Sequence, residues 1–174
     1  NGNFRLLKDK INFKFSGSKG YLPHIDGHFL WKDGFNSKHL GWKKYSKNFI
    51  NFVIPLEKTK KSNGCLYLAK KNDTKKIGSN FKEIIKKLDS NNYTIRKNLM
   101  KKLKFFPVEL NHGDICLFNW KCAHFSKKNF SKSSRTIFYL TYCLKNKLIN
   151  VRKTYYLDKH KSKGTDAEKS LLHN

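Results

Sequence analysis

Acidic residues, arginine and proline are scarce in this chain. Its 174 residues include 12 Asp and Glu and 3 Pro, against 38 Lys and Arg, which gives a formal net charge of +26 at pH 7. The arginines are Arg5, Arg96, Arg135 and Arg152. Nucleic-acid surfaces favour arginine, because its planar guanidinium makes paired hydrogen bonds to phosphate and guanine. The lysines are also spread over every segment, so we interpret them as a solvated surface and expect no nucleic-acid partner.

Long apolar runs and paired cysteine motifs are absent as well. The sequence has no stretch of 18 or more apolar residues and no signal-peptide pattern, so we expect no membrane-spanning segment. The four cysteines form no C-x-x-C pair, which argues against a zinc site. Unpaired thiols in apolar runs are typical of a reducing compartment, and we expect a cytoplasmic protein.

Short apolar runs bounded by turn residues dominate what is present. They predict strands over 10–15, 49–56, 64–69, 105–110, 115–120 and 136–144. In the first run, Lys10, Asn12 and Lys14 alternate with apolar residues, which predicts a strand with one buried face. Many short strands predict a mainly β fold, a double-stranded β-helix (jelly roll) of the cupin kind, in a single domain over 1–174.

In the segment 79–104 the apolar residues have a different spacing. Apolar residues recur at helical spacing after a candidate helix cap at Ser79, first at Phe81, Ile84, Ile85 and Leu88 and then at Ile95, Leu99 and Leu103. We therefore predict a helical insertion between strands.

The tripeptide His24-Ile25-Asp26 is the strongest sign of chemistry. In an extended strand, residues i and i+2 point to the same side, so His24 and Asp26 could reach one ion. His124 follows a glycine turn and an apolar run, and could close a three-point site from a neighbouring strand. Two histidines and one carboxylate suit non-haem Fe(II) and leave coordination positions open. The alternative for His124 is a core histidine hydrogen-bonded to the backbone.

Five pieces of the chain follow one another in a characteristic order. They are Lys8-Asp9-Lys10-Ile11-Asn12-Phe13-Lys14, Gly20-Tyr21-x-Pro23-His24-x-Asp26, Ser62-Asn63-Gly64-Cys65-Leu66, Gly113-Asp114-x-x-x-Phe118 leading to His124-x-Ser126, and Arg135, eleven residues after His124. Together they resemble the phytanoyl-CoA dioxygenase family of Fe(II)/2-oxoglutarate oxygenases. The resemblance extends from Leu7 to about Lys161.

This resemblance implies an activity and a metal site. His24, Asp26 and His124 would hold Fe(II), with 2-oxoglutarate as cosubstrate and O2 as oxidant. A small molecule would be hydroxylated while 2-oxoglutarate is converted to succinate and CO2. Aspartate at position 26, in place of Ala or Gly, favours hydroxylation over halogenation. The segment 10–14 is most similar to the branch that acts on organophosphonates.

Three polar residues are candidate cofactor-binding groups. Arg135 begins a predicted buried strand and needs an anionic partner, because an unpaired buried charge is costly; the resemblance makes that partner the distal carboxylate of 2-oxoglutarate. Ser126 could donate its hydroxyl to the same carboxylate. Asn51 is a third candidate, as a polar group on an otherwise apolar strand. Asn12 and Lys14 could also line the pocket, although a solvated strand face explains them equally well.

Other interpretations remain open. Ile25 stands where the family commonly has Gln, and Ala69-Lys70-Lys71-Asn72 stands where it commonly has Pro-Gly-Ser-His. Members usually carry a further helical N-terminal portion, which we expect this chain to lack. The alternatives to a hydroxylase are a non-catalytic basic module that binds nucleic acid or another anionic ligand, and a fragment that cannot fold or turn over alone.

Overall fold

A computed structural model describes residues 4–27, 41–78, 80–87 and 93–161. The strands are β1 (Phe4–Lys14), β2 (Phe49–Pro55), β3 (Leu66–Ala69), β4 (Ile85–Lys87), β5 (Tyr93–Ile95), β6 (Phe105–Val108), β7 (Cys116–Asn119), β8 (His124–Ser126) and β9 (Arg135–Leu144). The helices are α1 (Lys71–Lys76), α2 (Phe81–Ile84), α3 (Lys97–Met100) and α4 (Val151–Lys161), with a 3-10 turn over Gly41–Lys44. Within the described ranges, no helix is both long and apolar enough to cross a membrane.

Two antiparallel sheets enclose the core. The larger sheet has the strand order β1-β9-β2-β7 and the smaller one the order β6-β3-β8. A buried cluster joins the two sheets, formed by Val53, Leu66, Phe118 and Ile137. The prediction of a mainly β, double-layered fold is therefore confirmed.

Strand β1 turns its polar face inward. Asn12 and Lys14 are only 4% and 2% exposed, whereas Phe13 between them is 54% exposed. Asn12 pairs in register with Ile137 and Lys14 with Arg135, so these side chains share the inner face of the large sheet. The alternative that Asn12 and Lys14 lie on a solvated face is therefore wrong. Polar groups line the interior at this edge of the fold.

The outer face of the large sheet is apolar and open. Ile11, Phe13, Ile115 and Leu117 all stand among the exposed large hydrophobic residues. In register between the two edges lie Phe138 of β9 and Ile54 of β2, both only partly covered. Contiguous apolar surface of this kind is uncommon on monomeric proteins.

The described parts of the segment 79–104, residues 80–87 and 93–104, combine two short helices with two strands, whereas a wholly helical insertion was predicted. Helix α2 ends at Ile84, and β4 then pairs antiparallel with β5, with Ile85 opposite Ile95. Isoleucine is stiff at χ1 and favours a strand, so the spacing of apolar residues did not decide the conformation here. Ser79 and Leu88 lie outside the described residues.

This β4-β5 ribbon supports the tripeptide that carries His24 and Asp26. Ile84, Ile85 and Ile95 form a buried cluster with Ile25 and Ala123. The backbone N–H of Ile95 donates to the carbonyl of Pro23 at 2.9 Å. The apolar side chain of Ile25 therefore packs in this cluster and anchors the loop. The side chains of its two neighbours, His24 and Asp26, remain available to bind a ligand.

Asn129 connects the loop before β9 to the end of β1. Its buried amide donates to the carbonyls of Lys14 (3.1 Å) and Ser133 (2.8 Å), and its oxygen accepts from the N–H of Ser131 (2.9 Å).

We expect Asn129→Ala to lower the free energy of unfolding by about 2–3 kcal/mol, because buried partners lose their hydrogen bonds. Urea denaturation measures this. The exposed Asn119→Ala is the control and should cost less than about 1 kcal/mol; equal losses in both variants would contradict the role of Asn129.

Candidate active site

An antiparallel bridge between His24 and His124 builds the centre of the site. The N–H of each residue donates to the carbonyl of the other, both at 2.9 Å. Residues paired in this way point their side chains to the same side, and the two imidazole centroids are 4.2 Å apart. The prediction had His24 and Asp26 on one extended strand. Instead only His24 is bridged, and Asp26 lies in the turn that follows.

Both histidines make a hydrogen bond that leaves one ring nitrogen able to bind a metal. Nδ1 of His24 lies 2.7 Å from the carbonyl of Leu22, and Nδ1 of His124 lies 2.9 Å from the carbonyl of Cys122. A carbonyl can only accept, so each Nδ1 carries the proton and each Nε2 keeps a lone pair. About a third of the His24 side chain stays accessible (34%), yet burial, followed by the charge of His124, lowers the pKa of His24 to about 4. This ring is therefore neutral at pH 7, the form that binds a metal.

The carboxylate of Asp26 completes a group of three donors. Its Oδ1 lies 4.0 Å from Nε2 of His24 and 3.7 Å from Nε2 of His124. A first-row ion about 2.1 Å from each ligand can join atoms up to about 4.2 Å apart, so both spacings fit. The three ligand atoms all lie within 4.8 Å of one another. Two imidazoles with one carboxylate are the donor set of non-haem Fe(II) sites.

Asn51 orients the carboxylate of Asp26 through a hydrogen bond. Its amide donates to Oδ2 of Asp26 at 2.6 Å, and its own oxygen accepts from the hydroxyl of Thr141 at 2.7 Å. Asn51 and Thr141 are paired across β2 and β9, so the sheet register sets this chain of hydrogen bonds. Asn51 was predicted as a cofactor-binding residue. The structure puts its amide on Asp26 and gives it the geometry of a residue that orients a metal ligand.

A second polar centre surrounds Arg135, which is 1% exposed. Its guanidinium donates to the carbonyl of Gly64 at 2.9 Å and to Oδ1 of Asn12 at 3.4 Å, while Nε has no hydrogen-bond partner. No carboxylate of the described residues forms an ion pair with it. A buried guanidinium with only neutral acceptors and an unsatisfied N–H is suited to an anionic ligand.

Lys14 adds a second buried cation to this corner. Its ammonium donates to the hydroxyl of Ser126 at 2.8 Å and to the carbonyl of Lys127 at 2.6 Å. Burial, then the charge of Arg135, lowers the pKa of Lys14 to about 7. The Ser126 hydroxyl also accepts from the N–H of Tyr21 at 3.2 Å, so its proton remains available for donation. These groups together form a cationic corner defined by Lys14, Ser126 and Arg135.

Two contributors to the cationic corner, Gly64 and Tyr21, were not predicted from the sequence. Gly64 was quoted only as part of a motif, but its carbonyl accepts from Arg135, and a Cβ there would lie 2.5 Å from the carbonyl of Lys127. Tyr21 was quoted only as part of a motif, yet its hydroxyl accepts from the amide of Asn12 at 2.9 Å. The G-x-x-P-H motif was the signal that could have drawn attention to Tyr21.

The pattern of the phytanoyl-CoA dioxygenase family (PhyH) matches residues 3–137. The chain belongs to this family. The match includes the three candidate metal ligands and Arg135.

Curated relatives cover nearly all of the chain. A 2-aminoethylphosphonate dioxygenase from an uncultured bacterium (HF130_AEPn_1) is 30% identical over 166 residues, which are 94% of this chain and 55% of the relative. A methylphosphonate hydroxylase from Gimesia maris is 28% identical over 159 residues, 90% of this chain and 52% of the relative. The chain thus spans about half the length of the curated relatives it matches.

Solved structures support the fold. EvdO2 from Micromonospora carbonacea, determined in complex with 2-oxoglutarate, aligns with a TM-score of 0.62 at 10% identity over 82% of this chain and 53% of that chain. SnoN, a non-haem α-ketoglutarate-dependent epimerase of nogalamycin biosynthesis, aligns with a TM-score of 0.55 at 14% identity over 81% and 47% of the two chains. At these sequence identities the structural similarity establishes the fold only. The reaction has to be inferred from the residues of the site.

The contact between Asn51 and Asp26 leads to a prediction about metal affinity. Asn51→Leu removes the 2.6 Å hydrogen bond that orients the carboxylate. Loss of a hydrogen bond that orients a metal-binding side chain typically weakens metal binding about 10–100-fold. Anaerobic Fe(II) titration should show this loss, with Asn119→Leu on the outer face of the same sheet unaffected. Equal Fe(II) affinity in the Asn51 variant and the unsubstituted protein would remove this role from Asn51.

Proposed function

We propose that this protein is an Fe(II)- and 2-oxoglutarate-dependent dioxygenase that hydroxylates a small molecule. The observation that carries the proposal is the presence of two centres linked by the strand His124–Ser126: three convergent metal donors, and a buried cationic corner without an acidic partner among the described residues. Membership of the phytanoyl-CoA dioxygenase family supports the same function. The names of two relatives make organophosphonates the first substrate class to test.

Each residue has a distinct role in this proposal. Nε2 of His24, Nε2 of His124 and a carboxylate oxygen of Asp26 would hold the iron, and Asn51 would keep Asp26 aligned. Arg135 would bind the distal carboxylate of 2-oxoglutarate with charge-assisted hydrogen bonds, helped by Lys14 and the proton of Ser126. Bound iron, with O2 and 2-oxoglutarate, would supply the oxidation that turns a C–H bond into an alcohol as succinate and CO2 are released.

The activity is tested by succinate formation. We expect the protein with Fe(II), ascorbate and O2 to convert 2-oxoglutarate to succinate, slowly alone and faster with an organophosphonate. His124→Ala should abolish the conversion, because two ligands do not retain the ion. Lys70→Ala, at an exposed position between β3 and α1, is the control. No succinate under any of these conditions, together with tight and sequence-selective nucleic-acid binding, would favour the basic binding module instead.

Arg135 should contribute to the affinity for 2-oxoglutarate rather than for iron. Arg135→Ala should weaken 2-oxoglutarate binding by about 1.5–3 kcal/mol, the range for a hydrogen bond to a charged group. Arg135→Lys keeps a cation in the buried position and should lose less. Anaerobic calorimetry of 2-oxoglutarate with the Fe(II)-loaded protein measures the difference. Unchanged 2-oxoglutarate affinity in Arg135→Ala would exclude Arg135 from the site.

The lowered pKa of Lys14 predicts a pH dependence. Above about pH 7 the ammonium loses its proton in the free protein, so binding a carboxylate there requires proton uptake. The affinity for 2-oxoglutarate should therefore fall as the pH rises from 7 to 9, by at most about tenfold per pH unit, and level off below pH 7. Lys14→Met should bind more weakly at pH 7 and lose this dependence. A dependence that persists in Lys14→Met would assign it to another group.

A further inference from the structure

Of the three candidate metal donors, Asp26 is the one that no strand or bridge includes. His24 and His124 are fixed to each other by two main-chain hydrogen bonds of 2.9 Å, whereas Asp26 lies in the turn after His24. The hydrogen bond from Asn51 orients the carboxylate of Asp26 through its side chain only. Where this carboxylate lies therefore also depends on how the turn itself packs.

Gly27 follows Asp26 in this turn and packs closely against the segment that begins at Gly41. Its φ of +70° lies in the left-handed region, which favours glycine. A Cβ on Gly27 would lie 3.1 Å from Cβ, 3.2 Å from Cγ and 3.3 Å from Cδ2 of Trp42. A Cβ on Gly41 would overlap the carbonyl oxygen of Gly27. The turn that carries Asp26 thus rests directly on Gly41 and Trp42.

Trp42 is anchored by contacts with two strands and a helix. Its ring packs against Phe49 of β2, with 5.5 Å between the centroids, and the ammonium of Lys8 of β1 lies 4.4 Å from its centroid. The buried cluster that contains Trp42 also includes Tyr155 of α4. The carbonyl of Trp42 accepts from the N–H of Tyr45 at 2.9 Å. These contacts make Trp42 a fixed support for the turn.

The spacing of the donors leaves little tolerance for movement of this turn. Oδ1 of Asp26 lies 4.0 Å from Nε2 of His24. An ion about 2.1 Å from each ligand joins atoms at most about 4.2 Å apart, so this spacing is near its limit. A methyl group on Gly27 would force the turn or the Trp42 ring to shift. A shift of the turn away from His24 would take the carboxylate out of reach of a shared ion.

We propose that Trp42 is a positioning residue for Asp26, and that its contact with Gly27 sets the affinity of the candidate site for its metal. The inference rests on the proposed function, because it assigns Trp42 a role towards the iron-binding group. Trp42 does this through the backbone of the turn, in addition to the side-chain hydrogen bond from Asn51. Residues that orient a metal ligand typically change metal affinity about 10–100-fold when they are substituted.

The test is metal binding without turnover. Co(II), whose binding is followed by visible absorption, is titrated into the unsubstituted protein and into Gly27→Ala and Gly17→Ala. Gly17 has a similar φ of +77°, but a Cβ there would meet nothing within 4 Å, so Gly17→Ala is the matched control for backbone strain. We expect Gly27→Ala to bind Co(II) at least about tenfold more weakly and Gly17→Ala to bind it like the unsubstituted protein. Thermal unfolding of the metal-free proteins should show similar losses in both variants.

Substitution of Trp42 gives a second comparison. Phenylalanine keeps Cβ, Cγ and a ring carbon next to Cγ, the atoms that face Gly27. Trp42→Phe should therefore retain most of the Co(II) affinity. Trp42→Ala removes Cγ and the ring, and should bind Co(II) at least about tenfold more weakly.

Two results would overturn the positioning role. One is Co(II) affinity that is unchanged in Gly27→Ala or in Trp42→Ala, and the other is an equal loss of affinity in Gly17→Ala. His124→Ala, measured alongside, tests the metal site itself, because it removes a ligand. Co(II) binding that His124→Ala abolishes would keep the proposed function even where the positioning role fails. Co(II) binding that is absent from the unsubstituted protein, or unaffected by His124→Ala, would mean that the proposed function has failed as well.

Discussion

The antiparallel bridge between His24 and His124 is the contact on which the site depends. Two main-chain hydrogen bonds of 2.9 Å fix both imidazoles on one side, and two carbonyls then fix their tautomers. Asp26 follows two residues after His24 and joins the donors. Ser126 follows two residues after His124 and belongs to the cationic corner, where its hydroxyl accepts from Lys14. One short pairing thus positions both the candidate metal ligands and the candidate cosubstrate contacts.

The polar interior has an energetic cost that a ligand would offset. Buried charges are expensive unless paired, and Lys14 and Arg135 lie next to each other with neutral acceptors. The lowered pKa of Lys14 expresses this cost, because burial and Arg135 both disfavour its charged form. A dianionic cosubstrate would relieve the repulsion and satisfy Nε of Arg135. The same buried cations that cost stability would therefore favour an anionic ligand.

Motif spacing predicted the candidate metal ligands better than it predicted their surroundings. His24, Asp26 and His124 converge because a short tripeptide and one strand pairing bring them together. The alternation of polar and apolar residues in β1 predicted a strand. It did not predict which face is buried, because that depends on β9 and the opposite sheet. The role of Asn51 depends on its register with Thr141, and register is set by long-range pairing. Helical spacing agreed with the short helix that ends at Ile84 but misled at Ile85, where the pairing of a two-stranded ribbon prevailed.

The location of the metal is the most direct test of this account. Crystals grown anaerobically with Fe(II) and 2-oxoglutarate would show the ion by anomalous scattering at the iron absorption edge. The account predicts one peak, about 2.0–2.2 Å from Nε2 of His24, Nε2 of His124 and a carboxylate oxygen of Asp26. It also predicts 2-oxoglutarate density that reaches from the ion to Arg135. An iron peak at the cysteines or at any other group, with none between these three side chains, would contradict it.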